Sequence, residues 1–338
     1  MADYVRNLWY MAAWTHEVPE DGVLSRRLLD TLWVIFRKRD GRYAMLADRC
    51  PHRFVPLSRG KRVGDTLHCG YHGLGFAGDG RCVHNAFPGG APDARVPTLP
   101  IVARHGGLWF WPGDAALADP ALIPDFAFVT DGAPVVCEGL RMNAGYEFIA
   151  DNLMDLSHAE FLHVETFGVN GSLFAGRHSV ETDDTGAIWN KWDMDGVAAP
   201  EWSRPMLPDG DAVDQWLHIR WHAPASMALF IGIARSGTDR TGLVVPQMAN
   251  PHIITPETAT TSHYFYTRDP GEEARIMALR VFLEEDEPMI EAAEAGLGDQ
   301  DFWAAKPLIL PSDAGAIRAR RRLMQLRRRE AGLAEAAE

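Results

Sequence analysis

Cys50 and His52 stand two residues apart and Cys69 and His72 three apart, so two short segments, C-P-H and C-G-Y-H, each offer one thiolate and one imidazole. A mixed [2Fe–2S] centre of the Rieske type holds one iron by two thiolates and the other by two imidazoles, and two such loops satisfy both metals. Exchanging two anionic thiolates for neutral imidazoles leaves the oxidised cluster less negative, which raises its potential over that of an all-cysteine centre. The chemistry is electron delivery. A structural zinc is the competing use of two Cys and two His, but zinc spacing pairs Cys with Cys and His with His, whereas both loops here are mixed. Pro51 and Gly70, inside the loops, suit backbone that turns tightly around an inorganic core.

Further along, residues 151–163 read D-N-L-M-D-L-S-H-A-E-F-L-H. Two histidines and one carboxylate on a single face form the triad of mononuclear non-haem Fe(II) oxygenases, which leaves coordination positions open to O2. His158 and His163 are the imidazole candidates. Five residues separate them, which excludes the H-E-x-x-H zinc pattern and does not align them on one helical stripe, so a bulge or a helix end is expected there. Two satisfied histidines of a buried helix are the plainer alternative. Asn152 lies three residues before Asp155, on the same side of any helix, and is expected near the iron as a neutral amide that does not ligate it.

Around these motifs lie V-R-N-L-W-Y-M-A-A-W at 5–14, C-V-H-N at 82–85, W-P-G-D-A-A-L-A-D-P at 111–120 and T-P-E-T at 255–258. With them the chain resembles, over nearly its whole length, the oxygenase component of the Rieske non-haem iron oxygenases, in the branch of short aromatic O-demethylases. The resemblance implies that His158 and His163, in N-x-x-D-x-x-H-x-x-x-x-H, ligate iron and that an aspartate near the C-terminus completes the set. Asp286 in F-L-E-E-D-E-P is the match, with Glu285 as second choice. From residue types alone, this acidic run reads as a solvated helix face. Asp155 is implied to bridge a cluster histidine of one subunit to an iron-ligating histidine of the next, within a head-to-tail homotrimer. His252, in N-P-H with Asn250, matches a substrate-contacting histidine. Leu229 and Met277 occupy pocket positions where the pattern has asparagine and tryptophan, a change that alters specificity.

The implied activity is O2-dependent O-demethylation of a methoxylated aromatic acid, vanillate-like, with release of formaldehyde. Hydroxylation of an aromatic methyl group or of another ring shares every metal ligand and stays open, as does a bare electron carrier that has no use for the second motif. The implied cofactors are the Rieske [2Fe–2S] cluster and mononuclear Fe(II), with O2 as co-substrate. The chain has no nucleotide-binding G-x-G-x-x-G, the stretch of that spacing at 73–78 directly following the second ligand loop, and no second cluster motif, so NAD(P)H acts only through a separate ferredoxin or flavin reductase. Arg53, Arg59, Lys61 and Arg62 form a basic patch beside the first loop that suits an acidic carrier or is merely solvated.

The elements that must position these groups fit an α+β protein: an N-terminal all-β Rieske domain at 1–115, and at 116–338 a catalytic domain whose large antiparallel sheet is flanked by helices, of the helix-grip type. The first part is punctuated by Gly and Pro, with β-type runs at 32–38, 43–48 and 107–111, the pattern of a small β-domain carrying ligands on loops. Residues 112–134, rich in Pro, Ala and Asp, mark the junction. A helix is expected at 143–165, strands at 187–193, 216–223, 227–234 and 258–267, and helices at 271–295 and 313–331. An Ala/Glu tail follows Gly332.

The 338 residues with eleven tryptophans supply apolar mass for two cores. A net charge of −13 argues against general nucleic-acid binding, and the arginines at 318–322 and 327–329 read as a solvated helix face. No apolar run reaches membrane-spanning length and the N-terminus lacks a signal-peptide pattern, so a cytoplasmic protein with Cys82 and Cys137 as free thiols is expected.

Overall fold

The runs expected at 32–38, 43–48 and 107–111 all form strands. The computed structural model describes residues 3–332 apart from 170, 208, 209 and 211, so the Ala/Glu tail lies outside the described residues. The chain packs as two compact units. One runs to Asp125 and takes in Thr255–Ala259; the other comprises Phe126–Ile254 and the chain from Thr260 onward.

In the first unit, β1 (Tyr10–Trp14), β2 (Leu24–Leu28), β3 (Thr31–Arg37), β4 (Tyr43–Ala47), β5 (Lys61–Val63), β6 (Thr66–His68), β7 (Gly75–Ala77), β8 (Cys82–His84), β9 (Ile101–Arg104) and β10 (Gly107–Phe110) form three small sheets. Their orders are β1-β10-β9, β2-β3-β4 and β5-β6-β7-β8. Val34, Phe36, Leu46, Leu57, Leu67 and Phe76 make a core that also includes Cys50 and Cys69. The two cysteines therefore stand at the inner ends of their loops.

The second unit opens with the short α1 (Phe128–Asp131), within the expected junction, then β11 (Val136–Met142) and α2 (Tyr146–Met154). The strands β12 (Arg177–Thr182), β13 (Ile188–Val197), β14 (Val213–His222), β15 (Ser226–Arg235), β16 (Leu243–Thr258) and β17 (Thr261–Arg268) follow. They form an antiparallel seven-stranded sheet in the order β11-β17-β16-β15-β14-β13-β12. Strand β16 went unread because a proline removes a ladder donor, yet Pro251 stands opposite Ala228 inside the sheet. The strand expected at 258–267 is interrupted by the turn between β16 and β17.

Helices α3 (Glu272–Leu279), α4 (Glu287–Leu297) and α5 (Ala314–Glu330) complete the unit, α3 and α4 being joined by a π-helical turn, Arg280–Asp286. The helix expected at 143–165 stops at Met154. Asp155 turns its carboxylate onto the Ser157 N–H (3.1 Å) and Oγ (2.6 Å), which starts a 3₁₀ turn, Leu156–Glu160, instead of a further α-turn. Helix α2 is held at both ends. Glu287 and Glu294 of α4 accept from the N–H groups of Asn143 (2.7 Å) and Gly145 (2.8 Å), and the buried Asn190 of β13 donates its amide to the Met154 carbonyl.

The arginine-rich helix corrects the reading of 318–322 as wholly solvated. Arg320 is buried, its Nε 2.7 Å and 3.0 Å from the two Asp151 oxygens and its Nη1 3.1 Å from Glu147. The guanidinium also lies over the Phe302 ring at 4.0 Å. Arg318, Arg321 and Arg329 are exposed, whereas Arg327 donates to the Tyr146 hydroxyl and to Glu147. Among the described residues no helix is long and apolar enough to cross a membrane.

Candidate metal centres and active site

The two loops of the first unit are built alike. The Cys50 N–H donates to the Val55 carbonyl (2.9 Å) and its carbonyl accepts from Phe54 (2.9 Å); the Cys69 N–H donates to Leu74 (2.8 Å) and its carbonyl accepts from Gly73 (3.0 Å). Phe54 and Gly73, each four residues after its cysteine, both take positive φ, 62° and 74°. This turn brings the two sulfurs together in the core and leaves the His52 and His72 rings 4.6 Å apart at the surface. Burial pushes the Cys50 thiol up, while the His52 and Arg53 N–H groups facing the sulfur and the neighbouring Cys69 act against each other. Gly70 has a different reason from the tight turn expected: a Cβ there would lie 2.6 Å from the Arg59 carbonyl oxygen, and one on Gly60 1.9 Å from that of His68. The glycines let two backbones cross.

Asp48 fixes the first loop, accepting from Ser25 Oγ (2.7 Å), the Ser58 N–H (2.7 Å) and Ser58 Oγ (2.6 Å). Sequence reasoning missed it because a lone aspartate before a ligand loop carries no signal. Of the basic patch, Arg53, Arg59 and Lys61 are exposed, whereas Arg62 is committed to the Glu20 carbonyl and to Asp21.

In the second unit, His158 lies on the 3₁₀ turn and His163 in the loop after it. Their Nε2 atoms are 3.2 Å apart, and Asp286 Oδ1 stands 3.6 Å from one and 3.3 Å from the other. The Nδ1–H of His158 donates to the Asp155 carbonyl and that of His163 to Glu285 Oε2 at 2.8 Å. With those tautomers, both Nε2 atoms and the carboxylate oxygen are acceptors crowded into one triangle. A cation between them resolves the repulsion: ligands at right angles with bonds of about 2.1 Å lie about 3 Å apart. Asn152 Nδ2 donates to Asp286 Oδ1 at 3.3 Å.

The π-turn separates the two adjacent acids. Asp286 faces the Nε2 atoms, while Glu285 reaches the opposite edge of the His163 ring and also accepts from Thr166 Oγ1 at 2.7 Å. Asp155 meets His158 through its backbone, its carboxylate being engaged by Ser157. Glu160, also unread in the sequence, accepts from the N–H groups of Gly171 (2.7 Å) and Leu173 (2.8 Å) and so closes the loop that follows His163. Burial pushes the His158 imidazole down. For His163 burial acts the same way but is outweighed by Asp286 and Glu285, and the net direction is up.

His252 and Asn250 share one face of β16, opposite Met227 and Leu229 of β15. Asn190, which bonds α2, belongs to the same cross-strand row as Leu229 and Asn250, so this face looks toward the helix side. His252 is buried, its Nδ1 is paired with the Tyr264 hydroxyl, and its Nε2 has no partner among the described residues. Phe282, one π-turn before Asp286, packs edge-on at 6.1 Å. Met277 stands apart as 38% exposed on α3.

Burial lowers His252 to about 4, and burial together with Arg220 lowers His222 to about 4, from the ordinary 6.5. Below pH 6.5 the unfolded chain takes up protons that the fold refuses, so the stability held above pH 6.5 is lost as pH falls toward 4. Each group contributes a slope of roughly 1.4 kcal/mol per pH unit in that window. Calorimetry between pH 4 and 7 should show His222→Gln flattening the acid limb by one proton; an unchanged slope counts against the assignment.

The sequence of residues 8–100 matches the Rieske [2Fe-2S] domain and residues 142–329 the vanillate O-demethylase oxygenase C-terminal domain. The chain belongs to the Rieske non-haem iron aromatic oxygenases, as an oxygenase component, and its cofactors are a Rieske [2Fe–2S] cluster and a mononuclear iron. Among individual proteins it is 35% identical to the oxygenase component of chloroacetanilide N-alkylformylase from Rhizorhabdus wittichii, over 95% of this chain and 94% of that one. It is 36% identical to the oxygenase component of dicamba O-demethylase from Stenotrophomonas maltophilia, over 97% and 99%. The crystal structure of dicamba monooxygenase bound to dicamba superposes with a TM-score of 0.86 at 36% identity, covering 98% of this chain and 100% of that one.

Proposed function

We propose that this oxygenase component demethylates a methoxylated aromatic acid of the vanillate type, giving the phenol and formaldehyde: ArOCH3 + O2 + 2e⁻ + 2H⁺ → ArOH + HCHO + H2O. The observation that carries the reading is the triangle of acceptors formed by His158, His163 and Asp286. In this reading those three hold the mononuclear iron, and Cys50, Cys69, His52 and His72 hold the cluster. Iron bound in an open triad supplies reductive activation of O2. The chain's own residues do the rest. Asn152 steadies the Asp286 carboxylate, and the buried His252 offers Nε2–H to an acceptor oxygen of the substrate, held in that tautomer by Tyr264. Asn250 adds an amide on the same face, and Leu229 opposite it makes the pocket wall apolar. Two relatives whose names specify N-alkylformylase and O-demethylase activity support attack on a carbon attached to a heteroatom.

Electrons come from a separate NAD(P)H-dependent ferredoxin or flavin reductase, and the enzyme works in the cytoplasm, in keeping with four unpaired cysteines. The reading includes a head-to-tail homotrimer. Phe54 and Tyr71 beside the cluster histidines are exposed, and a groove of about 350 Å³ beside Asp155 and His158 is lined by the open apolar side chains of Met289 and Leu308. Association covers both surfaces.

The test is turnover with a surrogate reductase on methoxylated, methylated and plain aromatic acids. Formaldehyde and phenol in equal amounts from the methoxylated acids are expected. Ring hydroxylation without formaldehyde overturns demethylation, and sedimentation of the same preparation as an active monomer overturns the trimer.

A further inference from the structure

The two imidazoles of the triad differ in what holds their Nδ1–H groups. His158 donates to a neutral backbone carbonyl, that of Asp155; His163 donates to the carboxylate of Glu285. That carboxylate is itself constrained. Its Oε2 takes the Thr166 hydroxyl at 2.7 Å, and its Oε1 lies 3.2 Å from Arg280 Nε, whose guanidinium is tied to Glu165 at 2.7 Å. The Glu285 side chain is 13% exposed, so solvent does little to weaken its field at the ring. The neighbouring Asp286 occupies the Nε2 side of the same ring, which leaves Glu285 no place as a ligand.

We propose that Glu285 is a positioning residue that acts through His163: its charge makes that imidazole the stronger donor of the pair and thereby sets both the affinity for iron and the ease of reaching the ferric state. The proposal rests on His163 being an iron ligand. A carboxylate accepting the remote N–H of a metal-bound imidazole fixes its tautomer and raises its basicity, and losing such a partner typically costs about 10–100-fold in metal affinity. A more electron-rich donor also favours Fe(III) over Fe(II), so removing the charge raises the potential. Thr166 and Arg280 hold the carboxylate aimed at the ring, and Arg280 draws off part of its charge.

Glu285→Gln keeps a hydrogen-bond acceptor for Nδ1–H while removing the charge. Competition with a ferrous chelator should show iron affinity lowered by about 10–100-fold. A redox titration followed by paramagnetic resonance should show the mononuclear iron's potential raised and the cluster's unchanged. Arg280→Gln should move the iron potential the other way. Wild-type affinity and potential in Glu285→Gln overturn the proposal, and so does weaker binding with no change of potential, which leaves only packing. His163→Ala separates the two claims: if it binds iron as tightly as the parent, the ligand assignment itself is wrong, whereas iron loss there beside an unaltered Glu285→Gln removes only the role of Glu285.

Discussion

Asp286→Ala should abolish oxygenation and empty the mononuclear site while the visible spectrum of the [2Fe–2S] cluster persists. Without the carboxylate, the Nε2 atoms of His158 and His163, 3.2 Å apart, have no anionic partner to help neutralise a dication. Iron affinity should fall by more than the roughly 10–100-fold that follows loss of a supporting hydrogen bond, because a coordinating atom is lost with its charge. Glu285 is not a substitute, since His163 Nδ1, Thr166 and Arg280 already hold it on the other side of the ring. Metal analysis and single-turnover product measurement check this. An Asp286→Ala protein that keeps stoichiometric iron and turnover shows the carboxylate ligand to be elsewhere, and Glu285→Ala is then the next variant to assay.

Arg320→Ala should cost the second unit about 2–3 kcal/mol, below the ~3–5 kcal/mol for breaking a fully buried ion pair from one side, because the Asp151 side chain is 26% exposed and takes up a proton when left alone. The reason is what remains behind. Asp151 keeps its position under α5 with no cation to meet it, whereas Glu147 retains Arg327. Burial already pushes Asp151 up to about 7 against the pull of Arg320. Loss of the guanidinium also removes its stacking over Phe302 and Phe148. Because α2 carries Asn152 and runs into the turn bearing His158, iron retention should decline with stability. Denaturant unfolding of the iron-loaded protein measures the first effect, and Arg320→Met with Asp151→Leu should recover much of the loss because it removes both charges together. A change below 1 kcal/mol in Arg320→Ala contradicts a stabilising clamp.

The local features of both centres were legible for a definite reason. The two cysteine loops are each closed by bonds spanning four or five residues, so ligand spacing and loop geometry lie within one short segment. The five-residue step between His158 and His163 likewise announced a bulge or a helix end, and Asp155 with Ser157 supplies the end, before His158 instead of at the expected residue 165. Non-local pairings left no such trace. Pro251 disguised a strand that its neighbours on both sides hold in the sheet, and Arg320 looked like one solvated arginine among several although its partners lie on another helix.

What the sequence by itself determined was the donor inventory: two mixed Cys/His loops, a histidine pair with an acidic run far downstream, and the patterning of an all-β part followed by an α+β part. The tertiary structure decided which of two adjacent acids meets the imidazoles, which edge of each ring is free, and which buried nitrogen has no partner among the described residues. Residue type fixes what an atom can donate or accept. Direction is set by packing between segments remote in the chain: a π-turn rotates Glu285 and Asp286 to opposite edges of His163, and the hydroxyl of Tyr264 claims one nitrogen of His252 and leaves the other open.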